Sequence, residues 1–533
     1  MHLAGRTAQT LRMSHSQADL TKEDRPSAEP SSSSWLHWLT LSAVVAAGFT
    51  LRIAQINAKP FWFDECFSAE LARLNWSTFF RVLWWREANM TLYYLLLRAW
   101  MHLGQSESLI RALSVVFATA TVPAVYWVAK LLYDRRVALL ASTLFAFNAY
   151  SVRYSQEARS YALFVLLATL SSGFLVAYLR RADRRSLLCY TIISALAVYA
   201  HFYAILLVVA HWLTVRLFGT PATTADGIPT LRRLRRAWQI IGLAFLPLLV
   251  FVAKTGAGPI RWIQRPGVHD LWAFADQFVG AGGWPLVVLT AVAVLAALLP
   301  LWRCLAQRNQ NWTVWRVQFL LVWIAFPVLL TFLLSFARPV FLGRYMIFCL
   351  PALVILAASG VVRLTKAWQR VLASAAFLFL ATQGVIFVYS HDFDQERDGS
   401  GAATDFILER AQPGDGIIFD IAEARVPYEF FRSNRAGEDT TKTAFTASFG
   451  PQILFPSSGP GLQFQDFKAK LTSDSLRAKV SAHSRIWVFL IYNGTIAKPD
   501  ANTTLLAQTL PLWFPHVERW QFPRVELRLY SKD

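Results

Sequence analysis

Two carboxylates stand side by side in an aromatic setting at Phe61-Trp62-Phe63-Asp64-Glu65-Cys66-Phe67-Ser68, about ten residues past the first long apolar stretch. Removal from water raises a carboxyl pKa toward that of a working general base, so such a pair at a membrane surface is expensive unless it is used. The same dipeptide also suits the first turn of a helix, where negative charge is favoured. A second cluster, Tyr154-Ser155-Gln156-Glu157-Ala158-Arg159-Ser160-Tyr161, lies between two apolar segments. Glu157 and Arg159 there either neutralise one another or a neighbour, or line a functional mouth. His201-Phe202-Tyr203 and Gly343-Arg344-Tyr345 fall in two further connections. Taken alone, His201 reads as a capping or packing histidine and Arg344 as a snorkelling anchor. If all four segments share one membrane face, carboxylate, guanidinium and imidazole surround one pocket.

The elements that must position these residues are membrane helices. Of 533 residues, 55% are hydrophobic and only 16% charged, against about 25% charged in soluble domains. That excludes an ordinary soluble enzyme. Crossing the hydrocarbon takes about 20 mostly apolar residues, and eleven segments qualify: 34–54, 110–132, 136–152, 158–180, 184–200, 203–218, 237–254, 284–302, 316–336, 344–362 and 369–389. Leu92 to Leu103 is apolar but short and carries Arg98, which predicts an interfacial or half-inserted helix.

A formal charge of +19 would suggest a nucleic-acid partner on a soluble chain. Its distribution argues otherwise. With residue 34 inside, the five inner loops (130–136, 180–185, 216–236, 303–316, 363–370) hold 18 Lys and Arg in 56 residues. The five outer loops (52–109, 153–159, 201–203, 254–283, 337–344) hold 13 in 106. That asymmetry follows the positive-inside rule, so the charge is a topology signal and no nucleic acid is expected. The spans then place the N-terminus in the cytoplasm and residues 390–533 outside the cell's inner (plasma) membrane.

Three regions are expected. Residues 1–33, polar and ending in Pro30 and a serine run, form a disordered cytoplasmic tail. Residues 34–389 form the transmembrane domain, with a long first outer loop over 55–109. Residues 390–533 form a small α/β domain, with a helix over Ala403 to Ala411, a turn at Pro413-Gly414-Asp415-Gly416, and strands at Ile417 to Asp420, Ile486 to Tyr492 and Arg524 to Tyr530. Four cysteines (Cys66, Cys189, Cys304, Cys349) have no paired spacing, so neither a disulfide framework nor a zinc ribbon is encoded. Asp392 to Asp394 reads as the start of a solvated loop. Gly280-Ala281-Gly282-Gly283 lacks the strand before and helix after that a phosphate loop needs, which disfavours a nucleotide donor. A transporter or flippase is the reading of a different class. It predicts ionisable groups deep in mid-span and broken helices in matched halves, whereas the polar residues here gather at one face and no internal repeat is visible.

Phe61 to Ser68, Leu92 to Trp100, Ile110-Arg111-Ala112-Leu113-Ser114, Tyr154 to Tyr161 and Arg344-Tyr345 through Leu350-Pro351-Ala352 occur in this order. Together they resemble the bacterial polyprenyl-phosphate-sugar glycosyltransferases of the GT-C fold (glycosyltransferase family 39), relatives of the protein O-mannosyltransferases and of the lipid A aminoarabinose transferase. The resemblance covers residues 35 to 390, and the Pro413-Gly414-Asp415 region is similar to the outer domain often appended in that family. Met90-Thr91 stand where the family usually has a Pro-Pro pair. An oligosaccharyltransferase is disfavoured, since Trp84-Trp85 is followed by Arg86 and not Asp.

The resemblance implies an inverting transfer of a sugar from a polyprenyl-phosphate carrier to an envelope acceptor, which would be a lipid, a polysaccharide or a protein. Asp64 would be the general base, with Glu65 beside it. Arg344 and Arg159 would stabilise the leaving phosphate, and Glu65 and Glu157 would bind sugar hydroxyls or position the base. Tyr161, His201, Tyr203 and Tyr345 would line the substrate cavity. The resemblance leaves both cofactor readings open, none or a divalent cation bridging Asp64 and the phosphate, since some GT-C enzymes use one and others do not.

Overall fold

The computed structural model describes residues 34–220, 227–256, 263–307, 311–391, 399–438, 450–456, 466, 469–491 and 501–532. The expected tail over 1–33 and the loop at Asp392 to Asp394 lie outside the described residues. The chain divides into two compact units, residues 1–44 and 45–533. The described part of the first is the opening half of α1 (Ser34–Ile53), whose Trp35, Leu36, Trp38 and Leu39 are exposed.

The second unit continues with α2 (Phe63–Arg73), α3 (Trp76–Trp85), α4 (Thr91–Trp100), α5 (Glu107–Leu132), α6 (Arg135–Phe147), α7 (Ala149–Ser155) and α8 (Tyr161–Arg181). Then follow α9 (Arg184–Ala200), α10 (Ala204–Phe218), α11 (Gly227–Thr255), α12 (Val268–Val279), α13 (Gly283–Gln307) and α14 (Trp312–Leu334). A 3-10 segment, Gly343–Cys349, leads into α15 (Leu350–Val362), and α16 (Ala367–Ser390) closes the helical body. Eight of the described helical segments are long and apolar enough to cross a membrane. The other three expected spans are shorter helices: 184–200 and 203–218 are α9 and α10, of 17 and 15 residues, and 136–152 divides at Asn148 into α6 and α7. Asn148 both ends α6 and caps α7, its side chain accepting from Ser151 N–H at 2.9 Å. Leu92 to Leu103 forms the ten-residue α4 and one 3-10 turn, too short to span.

Close packing in the body depends on small residues. A Cβ on Gly360 of α15 would fall 1.8 Å from the Ala293 carbonyl oxygen of α13, and one on Gly384 of α16 would fall 1.9 Å from that of Gly280. Arg52 is buried near the end of α1 and donates to the Gly48 and Ala146 carbonyls and Ser151 Oγ, each at 2.9 Å. The Ala146 carbonyl is one that the end of α6 leaves without a helical partner.

After α16 come α17 (Ser400–Arg410), β1 (Gly416–Phe419), α18 (Ala422–Glu438), β2 (Gln452–Phe455), α19 (Ser473–Val480), β3 (Arg485–Ile491), α20 (Ala501–Thr509), β4 (His516–Phe522) and β5 (Val525–Ser531). The sheet order is β2-β1-β3-β5-β4, with β1 parallel to β2 and β3, and β5 antiparallel to β3 and β4. Pleating divides the core in two. Ile417, Phe419, Trp487, Phe489, Leu527 and Leu529 pack with Ile407 of α17 and Tyr428 of α18. Ile418, Val488, Leu490 and Tyr530 pack with Leu476 of α19 and Leu506 of α20. The α/β reading therefore holds; of the strand expected at Ile486 to Tyr492, Ile486 to Ile491 lie in β3 as an unbroken apolar run because helices cover both faces, and Tyr492 lies outside the described residues.

Candidate active site

Helix α2 begins at Phe63, three residues past Pro60, and the carbonyl of its N-cap Trp62 accepts from the N–H groups of Glu65 (2.9 Å) and Cys66 (3.1 Å). Asp64 and Glu65 thus occupy the first turn, at the positive end of the helix dipole. They face different surroundings. Glu65 is fully buried and holds Arg111 of α5 through two bonds, Nε to Oε1 at 2.8 Å and Nη2 to Oε2 at 2.6 Å. Its Oε1 also accepts from Ala158 N–H at 2.9 Å. Arg111 spends its remaining donors on the carbonyls of Ile56, Lys59 and Pro60. Three segments are pinned together in this way: the approach to α2, the start of α5 and the turn before α8.

Asp64 keeps 23% of its side-chain exposure, and its Oδ2 lies 3.7 Å from Arg159 Nη2. Arg159 is buried in a turn closed by its own N–H on the Glu157 carbonyl at 2.8 Å. Its Nη1 reaches the Asp64 carbonyl and the Tyr94 hydroxyl, both at 3.4 Å, and Ser68 Oγ at 3.5 Å. Glu157 is buried and acts electrostatically on Arg111, so it stands with the Glu65 pair rather than with Asp64.

Glu87, which the sequence reading did not single out, belongs to the Asp64 group. Burial pushes its carboxyl up to about 7, opposed by Arg159 and reinforced by Asp64. The only prior sign was its position as a lone acid between the Trp84-Trp85 pair and the apolar α4. Tyr94 and Arg111 lie within the motifs that carried the resemblance, yet no role was attached to them. Asn89, two residues past Glu87, accepts from Phe202 N–H at 2.9 Å and ties this segment to the turn between α9 and α10.

That turn carries His201 and Tyr203. The Tyr203 hydroxyl donates to the Val340 carbonyl, binding the turn to the loop that precedes Arg344. His201 is fully buried, stacked on Phe164 (5.0 Å, 6°) and set edge-on to Tyr345 (4.8 Å, 61°) and Tyr203 (5.5 Å, 72°). Burial, then Arg159 and Arg344, lower its imidazole to about 3, so the ring is neutral. Nδ1 accepts from Tyr203 N–H at 3.2 Å, which leaves the proton on Nε2. Neither that Nε2 nor the buried Tyr161 hydroxyl has a hydrogen-bond partner among the described residues. Tyr161 packs against Tyr154 and Tyr345, and the Arg344 guanidinium lies 5.7 Å from the Trp62 ring centroid.

Of the nine residues singled out from sequence, seven meet here: Asp64, Arg159, Tyr161, His201, Tyr203, Arg344 and Tyr345. Glu65 and Glu157 stand one layer behind them. The cluster offers one partly exposed carboxylate together with two guanidiniums and two unpartnered donors, a set suited to holding an anion beside a base. Among the described residues no group of three or more His, Cys, Asp or Glu side chains is placed to hold a metal ion. The cation beside Asp64 is Arg159.

The architecture has solved counterparts. ArnT from Cupriavidus metallidurans in the apo state superposes over 94% of this chain and 99% of its own, with a TM-score of 0.58 at 12% identity. The chain has the GT-C fold. The same enzyme bound to undecaprenyl phosphate matches 93% of this chain and 98% of its own, at TM-score 0.52 and 11% identity. The archaeal oligosaccharyltransferase AglB from Archaeoglobus fulgidus, in complex with an inhibitory peptide and a dolichol-phosphate, matches 86% and 70%, at 0.51 and 10%. No protein-family model matches the sequence, and no curated protein sequence does either. With this GT-C architecture and its apolar helices the chain is a multi-pass membrane protein.

Proposed function

We propose that the protein is an inverting glycosyltransferase that moves a sugar from a polyprenyl-phosphate carrier to an envelope acceptor at the outer face of the inner membrane. The observation that carries this reading is the Asp64–Arg159 contact: a carboxylate left partly open, 3.7 Å from a buried guanidinium, in the GT-C fold. Two of the solved counterparts are bound to undecaprenyl phosphate and to dolichol-phosphate, which supports a lipid-linked donor. Orientation is supported by loop charge, with 18 Lys and Arg in the five inner loops against 13 in the longer outer ones. Residues 34–389 form the catalytic membrane domain and 390–533 an extracytoplasmic one.

In the reaction, Asp64 takes the proton from an acceptor hydroxyl as that oxygen bonds to the anomeric carbon. The carbon's bond to the phosphate oxygen breaks, and the electron pair leaves with polyprenyl phosphate. Negative charge grows on that phosphate during the step, so Arg159 and Arg344 bind the transition state more tightly than the ground state. The His201 Nε2–H and the Tyr161 hydroxyl supply uncharged donors to the same anion or to the sugar. Arg159 touches the base as well as the leaving group and so holds the two ends of the reaction in register.

Purified protein in proteoliposomes, supplied with polyprenyl-phosphate sugars extracted from its source membrane, tests the assignment. Asp64→Asn is expected to slow release of polyprenyl phosphate by about 10²- to 10⁴-fold, the usual scale of general-base catalysis, with undecaprenyl phosphate still bound. Near wild-type turnover by Asp64→Asn would remove Asp64 from the chemistry.

A further inference from the structure

Helix α2 carries Asp64 on one side and an anchor on the other. Arg73 follows Asp64 by nine residues, about two and a half turns, so their side chains leave the helix in opposite directions. On that far side sits α18 of the C-terminal domain. The Arg73 guanidinium donates to Glu70 Oε1 at 2.5 Å on its own helix, and to Ser433 Oγ and Asn434 Oδ1, each at 2.7 Å, on α18. It also lies over the Phe430 ring, 5.0 Å from the centroid. Phe430 in turn stacks on Phe61, with centroids 5.0 Å apart and planes 7° from parallel.

Phe61 immediately precedes Trp62, whose carbonyl starts α2, and its ring lies 4.6 Å from the guanidinium carbon of Arg111, the cation that holds Glu65. One ring of α18 therefore touches both the entrance of α2 and its last turn. Clefts of about 550 and 570 Å³ flank the Arg73 bridge, lined by Glu70, Arg98 and Arg432 on one side and by Asn57, Glu107 and Arg435 on the other. The junction thus combines stacked rings with charged and polar side chains.

We infer that the C-terminal domain is part of the catalytic unit: α18 grips α2 at both ends and sets where Asp64 stands, with Arg73 and Phe430 as positioning residues. This rests on the proposed role of Asp64. A base displaced by about 1 Å loses about a hundredfold in rate, while the phosphate ligands Arg159 and Arg344 are carried by other segments. Loosening the grip therefore lowers kcat and spares donor affinity.

The test uses the full chain in proteoliposomes with the same extracted donor. The paired substitution Ser433→Ala and Asn434→Ala, and Phe430→Ala separately, are each expected to lower kcat about ten- to a hundredfold, with affinity for undecaprenyl phosphate within about twofold of wild type. Asn434→Asp, which keeps the acceptor for Arg73, retains turnover. Adding Arg73→Ala to the paired substitution lowers kcat by less than the two separate losses combined, because the two share the Arg73 hydrogen bonds to Ser433 and Asn434. Hydrogen exchange over residues 61–68 accelerates in the paired variant. Wild-type kcat in the paired variant and in Phe430→Ala, or additive losses with Arg73→Ala, would overturn the inference. If the wild-type protein turns over no donor, the proposed function fails, and the exchange measurement alone decides the coupling: unchanged protection over 61–68 rejects it.

Discussion

On the Glu65 side of the first turn of α2, a fully buried carboxylate meets Arg111 at 2.6 and 2.8 Å and accepts a backbone N–H as well. On the Asp64 side, a partly exposed carboxylate meets Arg159 at 3.7 Å, and that arginine divides its donors among weak, distant acceptors. Adjacent residues of one chemical class thus do different work. In the short bidentate pair all five guanidinium donors and three carboxylate lone pairs are taken up by the protein itself. A long, partly open pair keeps both charges available, and the desolvation around it is what gives those charges leverage.

The largest expected effect separates the two sides by stability. Glu65→Ala leaves Arg111 buried and without its carboxylate, which costs about 3 to 5 kcal/mol. Asp64→Asn removes a partly exposed and loosely paired charge and should cost under about 1 kcal/mol. Thermal unfolding in detergent measures both, and equal losses would break the comparison. Next in size, Arg344→Ala should weaken binding of undecaprenyl phosphate by about 1.5 to 3 kcal/mol, the scale of a charged hydrogen bond. Unchanged affinity in a titration would move the phosphate role to Arg159.

Smaller effects follow from titration. Glu87 is raised from 4.5 to about 7, so the folded protein holds that proton more tightly than the unfolded chain does. Its contribution to stability is full below about 4.5 and is lost as pH rises through about 7. Glu87→Gln should remove that slope, and with it a limb near neutral pH in the turnover profile, because ionised Glu87 makes Asp64 a stronger base. A profile identical to wild type would detach Glu87 from the site. The smallest effect concerns His201. With its pKa lowered to about 3, the ring stays neutral as pH falls from 8 to 5, so undecaprenyl phosphate affinity should show no imidazole step in that range. A step near 6.5 that vanishes in His201→Gln would contradict the neutral-donor role.

How far these features were legible in the sequence depends on what each one rests on. Val525, Leu527 and Leu529 alternate with polar residues, and that alone located β5, because one face of the strand meets the core. Its neighbour β4 was missed because His516-Val517-Glu518-Arg519 is exposed along a sheet edge and shows no inside face. Helix α12 falls within the expected outer loop 254–283 because it is short and follows Pro266-Gly267. The break at Asn148 hid within an apolar run, since one polar cap changes average hydropathy little. At the site, the meeting of Asp64, Arg159, His201 and Arg344 followed from placing four connections at one face. The division of labour between Asp64 and Glu65 did not, because it turns on which way a helix is rotated, and that is set by Arg111, 46 residues later. Glu87 had no motif around it, and only its approach to Arg159 gives it meaning.

Arg52 carries a consequence for biogenesis. Its hydrogen-bond partners beyond its own helix, the carbonyls of Phe145 and Ala146 and the hydroxyl of Ser151, are synthesised more than ninety residues after it. When α1 first enters the bilayer the guanidinium has only its own Gly48 carbonyl, and a charge so placed remains near the lipid headgroups, where its long side chain can reach water. Helix α1 can settle to its final depth only once α6 and α7 have been inserted, so the order of assembly is written into a single buried cation.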